Sequence, residues 1–256
     1  MTRRHVTFDC EGSLCVGTLD EAPGSTGLLI VSGGNELRSG AWNGQALLAA
    51  RLAAAGIAVF RFDRRGVGDS EGANGGFRSS TADIGAALAA FRSEAPQITR
   101  VFAFGNCDGA SALMLSQGMG CDVLVLSNPW TIESDGKKAP PPAAVRAHYA
   151  QRLKDPRSLL RVLTGKVSLS GLFVSLRSAL KPSPPPSSLA QEVAAGLARF
   201  NGPVTILLAG RDRTAQVFEA GWNKTDHRVQ RCPGATHSYV ESQDWLFDQV
   251  VGATKG

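Results

Sequence analysis

The sequence predicts an α/β protein, with a mostly parallel central sheet covered by helices on both faces. Three observations carry that prediction. Short apolar runs recur along the chain, at residues 27–31, 57–62, 101–104, 123–127 and 203–210. Alanine-rich, helix-like stretches stand between them, and strands alternating with helices imply parallel strands with helical crossovers. The third observation is length: 256 residues are enough to bury one substantial core.

The elements follow in order. Residues 6–10 and 15–19 are expected to pair as an opening hairpin around Glu11-Gly12. The run 27–31 reads as a short buried strand that ends in Ser32-Gly33-Gly34-Asn35. Residues 41–55 are helical by alanine content and stop at Gly56; 57–62 is the next strand, and 81–93 a helix capped by Ser80 or Thr81. Strands are expected at 101–104, 123–127, 203–210 and Val229–Cys232, followed by a closing amphipathic helix. In open sheets of this kind ligands bind beyond the carboxyl ends of the strands. Gly33-Gly34, Cys107 and Asp212 all fall at such ends.

Gly105-Asn106-Cys107-Asp108-Gly109 has the spacing of the G-x-S-x-G nucleophile elbow, with sulfur in place of the serine oxygen. The turn from strand to helix is so sharp that small residues must flank the nucleophile. At a helix N-terminus the positive end of the helix dipole favours a thiolate on Cys107. A thiol in such a place is also a good small core side chain, so the motif needs partners. Of the four histidines, His5, His148, His227 and His237, only His237 stands in a C-terminal turn, Pro233-Gly234-Ala235-Thr236-His237, ahead of a final helix. His227 precedes the strand Val229–Cys232 and so lies at its wrong end. Asp212 follows the strand 203–210; its alternative role is to cap the helix that begins near Thr214, and Asp226 is the competing acid. In the roles this chemistry requires, His237 exchanges protons with Cys107 and the leaving group, and Asp212 fixes the imidazole tautomer. The backbone N–H of Asp108 and one from Gly34 or Asn35 are the expected oxyanion donors. The run from Phe62 to Gly72 lacks the Lys-Ser/Thr ending of a phosphate-binding loop and reads as a turn that organises the elbow from alongside.

These stretches together resemble the α/β-hydrolase superfamily, in which nucleophile, acid and histidine occur in this chain order. More narrowly they resemble the exosortase A system-associated hydrolases of subtype 1. That likeness is carried by Gly33-Gly34 with Arg38 and Gly40, by 62–72, by Gly105-x-Cys107-Asp108-x-Ala110-Ser111, by Asn128-Pro129-Trp130 and by Gly210-Arg211-Asp212. The resemblance implies an α/β-hydrolase fold with a helical lid, a Cys107-Asp212-His237 triad, and a bacterial setting of exopolysaccharide-linked protein sorting. Two departures stand out: Gly109 where the family often has alanine, expected to be harmless, and Thr236 where it often has an acid.

Residues 1–130 and 201–256 are expected to form the core and 131–200 a lid inserted after the sixth strand. The lid segment holds 11 Lys and Arg against 4 Asp and Glu, a net +7 in a chain of net +5, so the positive charge belongs to it. Leucines at 159–163 and 172–180 recur at helical spacing beside those bases. Such a face covers the active site or rests peripherally on an anionic membrane. Nucleic acid is not expected, because aromatic residues are not interleaved with the bases. Five cysteines without metal-ligand spacing, and an N-terminus without an apolar targeting segment, predict reduced thiols in a cytoplasmic setting, with no metal and no cofactor. The reading is an ester, thioester or related acyl hydrolase acting on a small acyl-bearing substrate. An acyltransferase with the same triad and a non-catalytic scaffold that binds a partner through the basic segment are the alternatives.

Overall fold

The computed structural model describes residues 2–133 and 187–254. Eight strands form one sheet: β1 Arg3–Cys10, β2 Ser13–Asp20, β3 Thr26–Val31, β4 Ala58–Phe62, β5 Arg100–Asn106, β6 Val123–Ser127, β7 Val204–Ala209 and β8 Val229–Cys232. Their order is β1-β2-β4-β3-β5-β6-β7-β8. β2 is antiparallel to both β1 and β4, and every other pair is parallel. After β3 the chain crosses to β4 on one side, and β5 then returns to the other side of β3. The loops leaving β3 and β5 therefore diverge, and the crevice between them is the topological switch point where α/β sheets hold ligands.

Six described helices cover the sheet: α1 Gly44–Ala54, α2 Thr81–Glu94, α3 Asp108–Leu115, α4 Ser188–Ala198, α5 Arg213–Gly221 and α6 Gln243–Ala253. Alternation along the strands divides the core in two. Leu28 and Ile30 of β3, with Phe102 and Phe104 of β5, pack under Leu48 and Leu52 of α1 and Val250 of α6. Leu29, Val31 and Ala103 point the other way, to Ile84 and Phe91 of α2, Leu113 of α3, Val193 of α4 and Phe218 of α5.

Two elements differ from the sequence expectation. The first helix starts at Gly44 rather than at 41, because Trp42 and Asn43 both take left-handed conformations and break the helical path after a short 3-10 turn, Ala41–Asn43. Within the segment expected as lid, α4 buries Leu189, Val193 and Leu197 in the core beneath β6 and α3, so it is a layer of the core. The rest of that segment, with its bases and its two leucine-rich stretches, lies outside the described residues. Among the described residues no helix is long and apolar enough to cross a membrane.

Candidate active site

Cys107 closes β5 and caps α3 with φ 59° and ψ −127°, a conformation that L-residues rarely adopt. Strain of this sort persists only where surrounding contacts impose it. Here the Cys107 N–H donates to the Ser127 carbonyl at 2.9 Å, the Cys107 carbonyl accepts from the Trp130 N–H at 3.2 Å, and the Ser111 hydroxyl holds the Trp130 carbonyl at 2.7 Å. Asn128-Pro129-Trp130 thus clamps the elbow from the next strand. The flanking glycines are sterically required. A Cβ on Gly105 would lie 2.7 Å from the backbone of Gly109 and Ala110, and one on Gly109 would lie 2.4 Å from the Val31 carbonyl oxygen. At Gly109, β3 approaches α3 too closely for a methyl group unless backbone shifts.

His237 and Asp212 meet, with Nδ1 2.9 Å from Oδ2. Asp212 is buried, and the same Oδ2 accepts the Ala215 N–H at 3.0 Å and caps α5. The Asp212 hydrogen bond, and after it the one with Cys107, push the His237 pKa up to about 10 against the opposing effect of burial. Imidazole, carboxylate and thiol thus form one electrostatic unit that favours the protonated imidazole. Asp226 and His227 stand apart from this unit. Asp226 is bound to Arg228 and to the Trp222 N–H, which hold its carboxyl far below the usual range, while His227 is exposed.

The sequence reading missed Asn128. It is fully buried at φ 46°, and its Nδ2 donates to Asn106 Oδ1 at 3.0 Å and to the His237 carbonyl at 3.2 Å. Its Oδ1 accepts the Ala209 N–H at 2.9 Å. One amide therefore joins the elbow strand, the acid strand and the histidine loop. An asparagine separated only by Ser127 from the wholly apolar run 123–126 was the available signal. Further along the histidine loop, Thr236 donates its N–H and hydroxyl to Glu241, at 2.9 and 2.8 Å, and the Ser127 hydroxyl donates to the Tyr239 oxygen at 3.1 Å.

Gly33 brings the loop after β3 against the elbow, so close that a Cβ there would lie 2.9 Å from the Cys107 Cβ. The next N–H, that of Gly34, donates to the Asp108 carboxylate at 2.5 Å. Arg64, buried, hydrogen-bonds the Gly34 carbonyl and the Ser80 hydroxyl and lies 3.7 Å from Asp108. Asn35 is exposed, its side chain accepting from Asn74 at 2.8 Å. The run from 62 to 72 supports this loop: Asp63 accepts the Arg38 N–H and pairs with its guanidinium.

Away from the elbow, the ligand-type atoms of Cys10, Cys15 and Asp83 lie within 4.8 Å of one another. Asp83 is already neutralised there by Arg65 through bonds of 2.9, 3.1 and 3.2 Å, and burial pushes the Cys10 thiol up to about 11. Those groups pack the hairpin against α2.

This architecture recurs in solved structures. Est1E of Butyrivibrio proteoclasticus, with ferulic acid bound, superposes with a TM-score of 0.63 at 15% identity, over 98% of this chain and 100% of that one. The esterase Pf2001 of Pyrococcus furiosus gives 0.64 at 14% identity, over 99% and 91%. A proline iminopeptidase of Mycobacterium smegmatis gives 0.57 at 15% identity, over 97% and 96%. No curated protein sequence matches the chain. Residues 28–249, which run from β3 into α6, match the alpha/beta hydrolase family, and the chain belongs to that family.

Proposed function

We propose that the protein hydrolyses an ester, thioester or related acyl bond through a covalent S-acyl intermediate on Cys107. The observation that supports this reading is the coupling of His237 to both Asp212 and Cys107, at the tip of the crevice between β3 and β5. Cys107 gives its proton to His237 as Sγ attacks the acyl carbon, a C–S bond forms, and the carbonyl electron pair moves onto oxygen. The Asp108 N–H at the start of α3 faces that oxygen, and an N–H of Gly34 or Asn35 is the second donor. Because the Gly34 N–H is occupied by the Asp108 carboxylate at rest, either Asn35 supplies this donor or Asp108 releases Gly34 when substrate enters. Collapse of the tetrahedral species breaks the bond to the leaving group, which takes its proton from His237 Nε2. Water then gives a proton to His237 and attacks the thioester, releasing the acid and restoring the thiol.

Of the structural neighbours, one is named as an esterase, one holds ferulic acid and one is named as a proline iminopeptidase, which agrees with chemistry at an acyl carbon. The resemblance to exosortase-associated hydrolases supports a substrate from a bacterial exopolysaccharide and protein-sorting system. With it goes a cytoplasmic site of action and peripheral association with an anionic membrane through the basic segment 131–200. Intact-mass analysis after incubation with an activated ester tests the mechanism: one acyl group should appear on Cys107 and be absent from Cys107→Ala.

A further inference from the structure

A narrow, open-mouthed cleft with a cavity volume of about 50 Å³ runs between α1 and α6 on the sheet face opposite α3. Trp42 and Leu48 form one wall, Tyr239 and Leu246 the other, and Phe104 the floor. Its lining also includes Asn106 and Ser238, the chain neighbours of Cys107 and His237, and Glu36 from the loop after β3. The Ser187 hydroxyl donates to the Thr131 carbonyl at 3.0 Å, and Trp130 packs on the α3 face.

We propose that this cleft receives the leaving-group side of the substrate, a small aromatic or aliphatic body bearing a hydrogen-bond donor for the Glu36 carboxylate. The inference rests on the acyl-transfer reading of Cys107. The assignment to the leaving group follows from position. A departing group must lie within reach of the His237 proton, and the cleft is bordered by Ser238 and Tyr239, which follow His237 directly. Its chemistry follows from the lining: apolar walls suit a ring or branched chain, and Glu36 is an acceptor set at the mouth. Burial raises the Glu36 pKa, while the charge on His237 and the Ala41 N–H act in the opposite direction. The other charge in the cleft, Arg51, is already paired with Asp244 at 2.8 Å and lies over the Phe247 ring.

The wall that carries Trp42 is built at a conformational cost. Trp42 and Asn43 are successive left-handed residues, with φ 47° and 63°. The indole lies so close over Gly44 that a Cβ there would be 2.7 Å from Cζ2. Bulky side chains rarely adopt this backbone, and such strain clusters at ligand clamps. Here it turns an aromatic face, still 37% exposed, toward the cleft.

Three acetate esters that share an acyl group, those of ethanol, benzyl alcohol and phenylglycinol, test the proposal when hydrolysis is followed by acid release. From ethyl to benzyl, kcat/KM should rise about tenfold or more, and the ammonium of phenylglycinol should add about fivefold. Ala41→Phe, a change at an exposed position of the cleft wall, should remove the benzyl gain and leave ethyl acetate unchanged. Glu36→Gln should remove only the ammonium gain. Equal effects on all three esters overturn the proposal. So does a loss in Ala41→Phe confined to ethyl esters of longer acyl chains, which would put the acyl group in the cleft. Benzylammonium binding to Cys107→Ala, followed by NMR titration, separates this proposal from the reaction itself. Binding that Ala41→Phe abolishes, in a protein whose wild type hydrolyses no ester, overturns the acyl-transfer reading and leaves the cleft's ligand chemistry standing. Hydrolysis with neither binding nor discrimination overturns the cleft alone.

Discussion

The Asp108 carboxylate accepts the Gly34 N–H at 2.5 Å, which ties the residue after the elbow cysteine to the loop that must help hold an oxyanion. The contact steadies that loop, with Arg64 behind it at 3.7 Å, yet it occupies a donor and sets negative charge beside the place where more develops. Asp108→Asn keeps an acceptor for Gly34 and removes the charge. It should raise kcat/KM by about threefold to tenfold, or up to about 1.4 kcal/mol of barrier. Steady-state kinetics on an activated ester check this, and a large loss would mean that the charge itself serves the reaction.

Asp212→Asn should lower the His237 pKa from about 10 toward its ordinary range, since the Asp212 hydrogen bond is the largest cause of the shift. The folded pKa of His237 is raised above its unfolded value. Its contribution to stability is therefore complete below about pH 6.5 and is lost as pH rises through the folded pKa. Wild-type Tm should fall over that window relative to Asp212→Asn, whose profile should be flatter. Thermal melts in buffers spanning the interval measure it, and parallel profiles would contradict the coupling.

Asn128→Ala should destabilise the protein by about 2–3 kcal/mol, because the buried Ala209 N–H loses its partner and the His237 carbonyl loses one of its donors. Urea unfolding reads this directly. Activity should fall further than stability explains at assay temperature, since the same amide aligns the histidine loop with the elbow.

Gly109→Ala should cost about 1–3 kcal/mol, the usual range for overpacking a well-packed interior. The added methyl meets the Val31 carbonyl oxygen, so β3 or α3 must shift and Cys107 with it. A variant with unchanged Tm and kcat would show that the two elements separate freely.

Much of the fold was legible because each buried strand is a continuous apolar run, and Val123–Ser127 appears with the bounds expected of it. The pairing of Cys107, Asp212 and His237 was legible from chain order, as each follows the carboxyl end of a strand. Three features were not. The left-handed Trp42 and Asn43 look like helix formers' neighbours in sequence, and only packing over Gly44 and beside the cleft sets their backbone. Asn128 acts through partners 22, 81 and 109 residues away, which no local pattern encodes. Asp108 was assigned its backbone N–H alone, and the reach of its side chain to Gly34 depends on how closely β3 and β5 lie side by side.

The central claim is that Cys107 is the nucleophile. Its most direct measurement is rapid-quench mass spectrometry of the protein with an activated acetate ester, alongside steady-state turnover of Cys107→Ala. The account predicts an acetyl group on the Cys107 peptide within the first turnover, its decay by hydrolysis, and no turnover above background in the variant. Full turnover by Cys107→Ala, with no acyl group on Cys107 in the wild type, would contradict it.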